Sequence, residues 1–148
     1  MASNVCVSLK IPYRKYPAPN APSGFCYAAS VPVNIGLPAK NAPRSKRFDA
    51  IIDSGASACL FHASIGRAIG LDIEKGTKDR ALGITGAEDI FLHEITLYIP
   101  GGPIKTVAGL SDSLSIAGLL GMAGFFEHFK ILFDPTALQV ELERLYHA

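Results

Sequence analysis

The 148-residue sequence has no excess of charge: 14 basic residues stand against 13 acidic ones, for a formal charge of +1. It therefore has no global field to draw in nucleic acid or an anionic membrane, and partner choice has to come from local features. Nor does any apolar run reach the roughly eighteen residues that a membrane span requires. The most apolar stretch, "AGLLGMAGFF" at 117–126, is short and broken by glycines. The first residues lack a charged region followed by a long apolar core, so no signal peptide is read and a soluble cytoplasmic protein is expected. Close cysteine pairs are missing too. Cys6, Cys26 and Cys59 are odd in number and widely spaced, which argues against a zinc site and for unpaired, mostly buried thiols. His62, His93, His128 and His147 form no ligand motif and are placed on surfaces or helix ends. No metal or cofactor is expected.

The chain does hold 49% hydrophobic residues in a length typical of one domain. Residues 11–24, "IPYRKYPAPNAPSG", hold four prolines and read as an extended arm without a regular interior element. The division expected is thus an arm over 1–24 and a folded domain over 25–148. Ahead of the prolines, "VCVSLKI" suits a short strand, one that would pair only with a partner chain. From Phe25 to Ile35 the odd positions are apolar or aromatic and the even ones small or polar, the period of a half-buried strand, and Pro32 places it at a sheet edge. The next segment carries Lys40, Arg44, Lys46 and Arg47. No aromatic residues are interleaved to stack on bases, so it reads as a solvated hairpin loop rather than a nucleic-acid contact.

"FDAII" resumes as a strand, and Ile65, Ala68 and Ile69 have helical spacing within "HASIGRAIGL" at 62–71. "RALGI" and "DIFLHEITLYI" flank a turn at "TGAE", and "PGGP" at 100–103 closes another hairpin. The last third reads as a short helix near 121–128, a strand "KILFD", a tight turn at 134–136 and a final strand "LQVEL".

One stretch stands apart. "FDAIIDSGASACLF" at 48–61 ends a β-branched strand in Asp53-Ser54-Gly55-Ala56. This describes a buried strand that breaks into a tight turn with a carboxylate at the break. Gly55 lets the backbone come close to that carboxylate or adopt an angle other residues avoid, and main-chain N–H groups can hold the charge. The plainer alternative is an Asx-turn that merely satisfies local donors. A second feature, "GLLG" at 118–121, brings two apolar residues into a glycine ahead of an alternating strand pair.

Together these features resemble the retropepsin-like family of aspartic proteases. Its members combine an apolar-apolar-Asp-(Ser/Thr)-Gly-(Ala/Ser) loop, a flap hairpin, and a later apolar-apolar-Gly before a C-terminal helix. All three occur here in that order, over roughly residues 25–143. The resemblance implies a mainly β half-barrel with a flap hairpin and one or two short helices, active as a symmetric dimer. It makes Asp53 the catalytic carboxylate, Ser54 the hydroxyl bracing the loop across the dimer, and Gly55 and Ala56 the rest of the active-site loop. "GITGA" at 83–87 falls at the flap, with Ile84, Thr85 and Gly86 near its tip. Leu119 and Leu120 would pack behind the loop, Leu119 lining a side-chain pocket. Many retroviral members keep an acid and an arginine where this chain has Ser57 and Met122. Losing both together leaves no unpaired buried charge.

Such an enzyme cleaves amides with two carboxyl groups sharing one proton: one activates a water and the other protonates the carbonyl oxygen. The shared proton implies a bell-shaped pH profile on the acidic side of neutral. Asp112-Ser113 runs into Leu114 and Asp134 into Pro135, so neither repeats the Asp53 turn. A two-lobed single chain would need roughly twice this length. The expectation is a homodimeric endopeptidase acting on peptide or unfolded protein, with one Asp53 from each protomer. Two rivals are kept: a catalytically silent dimerisation or peptide-binding module on the same fold, and an unrelated small β-barrel.

Overall fold

The computed structural model describes residues 8–83 and 86–146. Its strands follow in chain order as β1 (Ser8–Pro12), β2 (Arg14–Pro17), β3 (Phe25–Ala28), β4 (Ser30–Gly36), β5 (Phe48–Ile52) and β6 (Leu60–His62). The helix α1 (Ala63–Ala68) comes next, then β7 (Thr77–Gly83), β8 (Gly86–Tyr98), β9 (Ile104–Ser111), β10 (Gly118–Leu120), β11 (Phe129–Asp134) and β12 (Gln139–Arg144). Two 3-10 turns, Ile73–Lys75 and Phe126–His128, complete the set.

The main sheet runs β4-β5-β10-β6-β9-β8-β7, and the end of β4 also pairs with β8. Asn34, Ile35 and Gly36 lie opposite Tyr98, Leu97 and Thr96, so the sheet closes on itself. The edge position read from Pro32 therefore holds only for the first half of β4, where Pro32 faces Asp49 of β5 and its missing N–H disturbs no second partner. Period-two alternation sends Val31, Val33 and Ile35 inward to meet Ile95, Leu97 and Leu120, all fully or almost fully buried. Phe61 and Phe125 fill the same core at zero exposure, each contributing about 1.5–3 kcal/mol.

Residues 11–24 are not an unpaired arm. β1 pairs with β12 of the same chain, Ser8 opposite Glu143 and Pro12 opposite Gln139, rather than waiting for a partner. β2 and β3 form a hairpin of their own, so a division at residue 24 falls inside it. The prolines permit this by position. Pro12 and Pro17 end β1 and β2, and Pro19 and Pro22 lie in the turn between β2 and β3. Cys26 sits on this outlying ribbon and is exposed, against the expectation of burial, whereas Cys59 is fully buried.

The two helices also differ from expectation. α1 is six residues long, stops before Gly70 at φ +95°, and buries Ala63 and Gly66 with Ile69 following; Ala68 faces out. A helix over 121–128 does not form. Gly124 at φ +90° breaks the run, and only the turn Phe126–His128 fits before Phe129 enters β11. Among the described residues no helix is long and apolar enough to cross a membrane.

Candidate active site

β5 delivers Asp53 to the rim of the core. Ala50 and Ile52 face inward, and the ladder continues one bond past the strand, the Asp53 N–H donating to Leu120 O at 3.0 Å. The side chain, half-buried, then turns back on its own loop. The Gly55 N–H donates to Asp53 Oδ1 at 2.8 Å, and a Cβ at residue 55 would stand 3.2 Å from that oxygen. Gly55 is therefore favoured by close approach, not by a left-handed backbone angle. Among the described residues no hydrogen bond reaches Oδ2.

The local turn of an ordinary structural aspartate is thus present, but it does not explain what lies beneath it. β10 threads between β5 and β6, the two strands that the Asp53 loop connects. It runs parallel to β5, with Leu119 opposite Ile51, and antiparallel to β6, with Gly118 opposite Phe61. The chain leaving β10 is fastened to the loop: Met122 N–H donates to Ala56 O at 2.9 Å and Ala123 N–H to Ser57 O at 3.0 Å. Contact is closest at Gly121. A Cβ there would collide with Ala58 O and stand 2.7 Å from Ala56 O, so only glycine lets the two segments meet. The apolar pair before it divides by alternation. Leu120 is buried behind the loop, while Leu119 is half-buried beside Ile51 and Leu60.

Ser54, Gly55 and Ser57 are exposed, and Met122 is 50% exposed. β7 and β8 form a long hairpin that closes with Gly83 opposite Gly86, and Gly86 has φ +124°. Ile84 and Thr85, expected at its tip, lie outside the described residues.

The other candidate aspartates are occupied elsewhere. Asp112 takes two hydrogen bonds from Arg67 on α1, at 2.6 and 2.9 Å, and Arg67 also reaches Glu74 at 3.2 Å. The bond from Arg67 holds the Asp112 carboxyl below its usual range, and the Asp112 bond raises the guanidinium in turn. This cluster ties α1 to the end of β9. Sequence reading passed over it because its members lie up to 45 residues apart. Asp134 Oδ1 accepts from the Ala137 N–H at 3.0 Å and holds the β11–β12 turn. Among the described residues no three His, Cys, Asp or Glu side chains are grouped to hold a metal.

The sequence was compared with known proteins. No protein-family model matches it, and no curated protein does either. Among solved structures, a retropepsin-like aspartic protease from Rickettsia conorii superposes with a TM-score of 0.63 at 18% identity, over 94% of this chain and 92% of that one. The chain has the retropepsin-like fold. More partial retropepsin-like matches are the EIAV protease complexed with the inhibitor HBY-793 (TM-score 0.48, 18% identity, 64% of this chain and 81% of that one) and the simian foamy virus (mac) protease (0.39, 14%, 62% and 87%).

Within this retropepsin-like fold Cys59 follows the loop directly, its thiol 3.6 Å from Ala123 O. Burial pushes that thiol up to about 11; an N–H of Gly121 works against the rise and the Glu127 charge adds to it. The sign follows from linkage. The folded chain holds the proton more tightly than the unfolded one, so this contribution is whole below about pH 9 and is lost as pH climbs through 11. The loss amounts to roughly 2 to 3 kcal/mol. Denaturant melts should show wild type weakening over that interval more steeply than Cys59→Ala. In the native protein a thiol reagent should modify Cys26 quickly and Cys59 only on unfolding; equal rates would contradict this placement.

A surface hollow of about 270 Å³ lies elsewhere, lined by Pro38, Glu94, Ile95, Lys105, Thr106 and Val107. None of these belongs to the Asp53 loop. A single chain presents Asp53 on a rim, not inside a closed cleft.

Proposed function

We propose that the chain is an aspartic endopeptidase that works as a homodimer, with a water activated between two Asp53 carboxylates, one from each protomer. The observation that carries the reading is the Asp53 loop itself. One carboxylate oxygen is fixed by the Gly55 N–H, the other receives no hydrogen bond from the described residues, and the whole loop is bolted over Gly121. Such a carboxylate is rigid yet available. Its chemistry requires a second carboxyl at contact distance, so that one is protonated while the other takes a proton from the attacking water. The other candidate carboxylates, Asp112 and Asp134, are engaged in the Arg67 cluster and the β11–β12 turn, and a second copy of Asp53 is the remaining source. Ser54, Gly55 and Ala56 form the loop around it. Leu119, half-buried opposite Ile51, lines a pocket for an apolar substrate side chain, and the β7–β8 hairpin serves as the flap over an extended peptide, the role the sequence resemblance gives Ile84, Thr85 and Gly86.

The test is cleavage of an unfolded protein at several pH values, with and without a statine-type inhibitor. Specific activity should fall on dilution as protomers separate. Adding an equal amount of Asp53→Asn chain to wild type, with time for exchange, should cut activity to about half by forming mixed dimers. Activity untouched by the inactive chain under exchanging conditions would rule out catalysis between protomers.

A further inference from the structure

Charge is unevenly placed along the chain. Seven of the 14 basic residues precede Asp49, and none of the 13 acidic ones does. The near-neutral total therefore conceals a wholly basic stretch over 1–48 and leaves seven bases against 13 acids in the rest. Four of the early cations, Lys40, Arg44, Lys46 and Arg47, fall on the connection from β4 to β5, and all four are exposed. Among the described residues none of them has a carboxylate within ion-pair distance. The first acid of the chain, Asp49, pairs instead with Arg14 at 3.6 Å.

This connection is more firmly built than the solvated loop expected from its composition. Ser45 fastens it to β4. The Ser45 N–H donates to Ile35 O at 2.7 Å, Ser45 Oγ accepts from the Ile35 N–H at 3.0 Å, and Asn34 Nδ2 donates to Ser45 O at 2.9 Å. Gly36 pairs with Arg44 in a single bridge, and the Arg44 guanidinium lies over the Tyr98 ring at 3.7 Å. Like charges held close together on a fixed frame repel, and a segment that needs only solubility is better served by mixed signs. The hollow at the foot of the loop, between Pro38 and Lys105, already contains a carboxylate, Glu94, so the exposed loop cations are the better seat for an anion.

We infer that this loop is a docking surface for an acidic segment of the polypeptide that the chain cleaves. The inference rests on the peptidase reading above and narrows its substrate. Arg47 precedes β5 and Asp53 follows it, so the loop lies about 20 Å from the proposed catalytic carboxylate at the rise of a strand. An extended substrate crosses that distance in about six residues, which sets the acidic run at least that far from the bond cut. Holding the substrate at both points raises its effective concentration at Asp53. Nucleic acid fits the surface less well, because no aromatic residue is interleaved for stacking and the Tyr98 ring is covered by Arg44. A membrane also fits less well, because residues 38–47 include no large apolar side chain to enter it.

Docking is tested apart from cleavage, on the full chain carrying Asp53→Asn. Fluorescence anisotropy follows its titration into a labelled decaglutamate peptide. Binding should fade as salt is raised and weaken about tenfold or more when Lys46→Glu and Arg47→Glu are added. Lys75→Glu with Lys78→Glu, the same change in net charge on another surface, should bind like the parent. The loop variant should melt no lower than the parent, since it relieves repulsion. No binding by the parent, equal weakening by both pairs, or loop-dependent binding of single-stranded DNA or phosphatidylserine vesicles in place of the peptide would each overturn the proposal. Cleavage by chains that keep Asp53 separates the two readings. Of two peptides sharing one cleavable site, the one with a glutamate run about eight residues away should have a KM about tenfold lower. The loop substitutions should remove that advantage and leave kcat unchanged. Docking without cutting keeps the surface and removes the peptidase, whereas cutting indifferent to the glutamate run and to the loop substitutions does the reverse.

Discussion

Asp53→Asn should lose peptide cleavage by about three to four orders of magnitude while melting within about 1 kcal/mol of wild type. The expectation of normal folding comes from the loop geometry. Asparagine keeps an oxygen where Oδ1 accepts the Gly55 N–H at 2.8 Å, so the turn survives. What disappears is the group that, in the proposed mechanism, takes a proton from water. Asp112→Asn is the matched control: it breaks an exposed ion pair with Arg67 and should leave turnover intact. A variant at Asp53 that kept a tenth of wild-type activity would remove the carboxylate from the mechanism. Inactivity shared by both variants would point to folding, not chemistry.

Gly121→Ala should be nearly as damaging, for a different reason. The added methyl would fall 2.6 Å from the Ala58 carbonyl carbon and 2.7 Å from Ala56 O. These are backbone atoms of the Asp53 loop and cannot rotate aside. Relief requires the loop to lift, which costs about 1–3 kcal/mol of stability and, in the proposed dimer, moves Asp53 out of register with its copy, for a fall of about a hundredfold in turnover. Gly118→Ala, by contrast, meets the Phe61 ring at 2.7 Å and the Phe48 ring at 3.2 Å, side chains that have some freedom to shift. It should reduce stability with less effect on turnover. Activity and melting measured on both variants decide the matter, and a Gly121→Ala enzyme of normal activity would show that the loop tolerates displacement.

Much of this could be read in the chain beforehand. β-branched alternation around Val31, Val33 and Ile35 locates a strand because the sheet buries one face of it. Asp53-Ser54-Gly55 and Gly118-Leu119-Leu120-Gly121 were legible as a pair through the family resemblance, and at Gly121 the close approach of the Ala56 and Ala58 backbone leaves no choice but glycine. The failures share a cause. Residues 11–24 were read from their prolines, yet whether a proline disrupts a strand depends on which way its nitrogen faces, and Gln139, far along the chain opposite Pro12, settles that for β1. Cys26 was assigned inside by composition, whereas its exposure follows from membership of a two-stranded ribbon. Arg67 and Asp112 gave no local sign at all, since only the path of β9 beside α1 brings them together.

The pairing of β1 with β12 also bears on the order in which the molecule can form. Ser8 lies opposite Glu143, so the first strand described finds its place only against the last. Closing so long a loop adds little to the equilibrium cost, because the penalty grows only with the logarithm of length, but it weighs on rate, since non-local pairings slow folding. During synthesis β1 emerges early and has no neighbour to bond until residue 144 has left the ribosome. The barrel around Asp53 can assemble in that interval. The β1-β12-β11 sheet is then the last of the described parts to set.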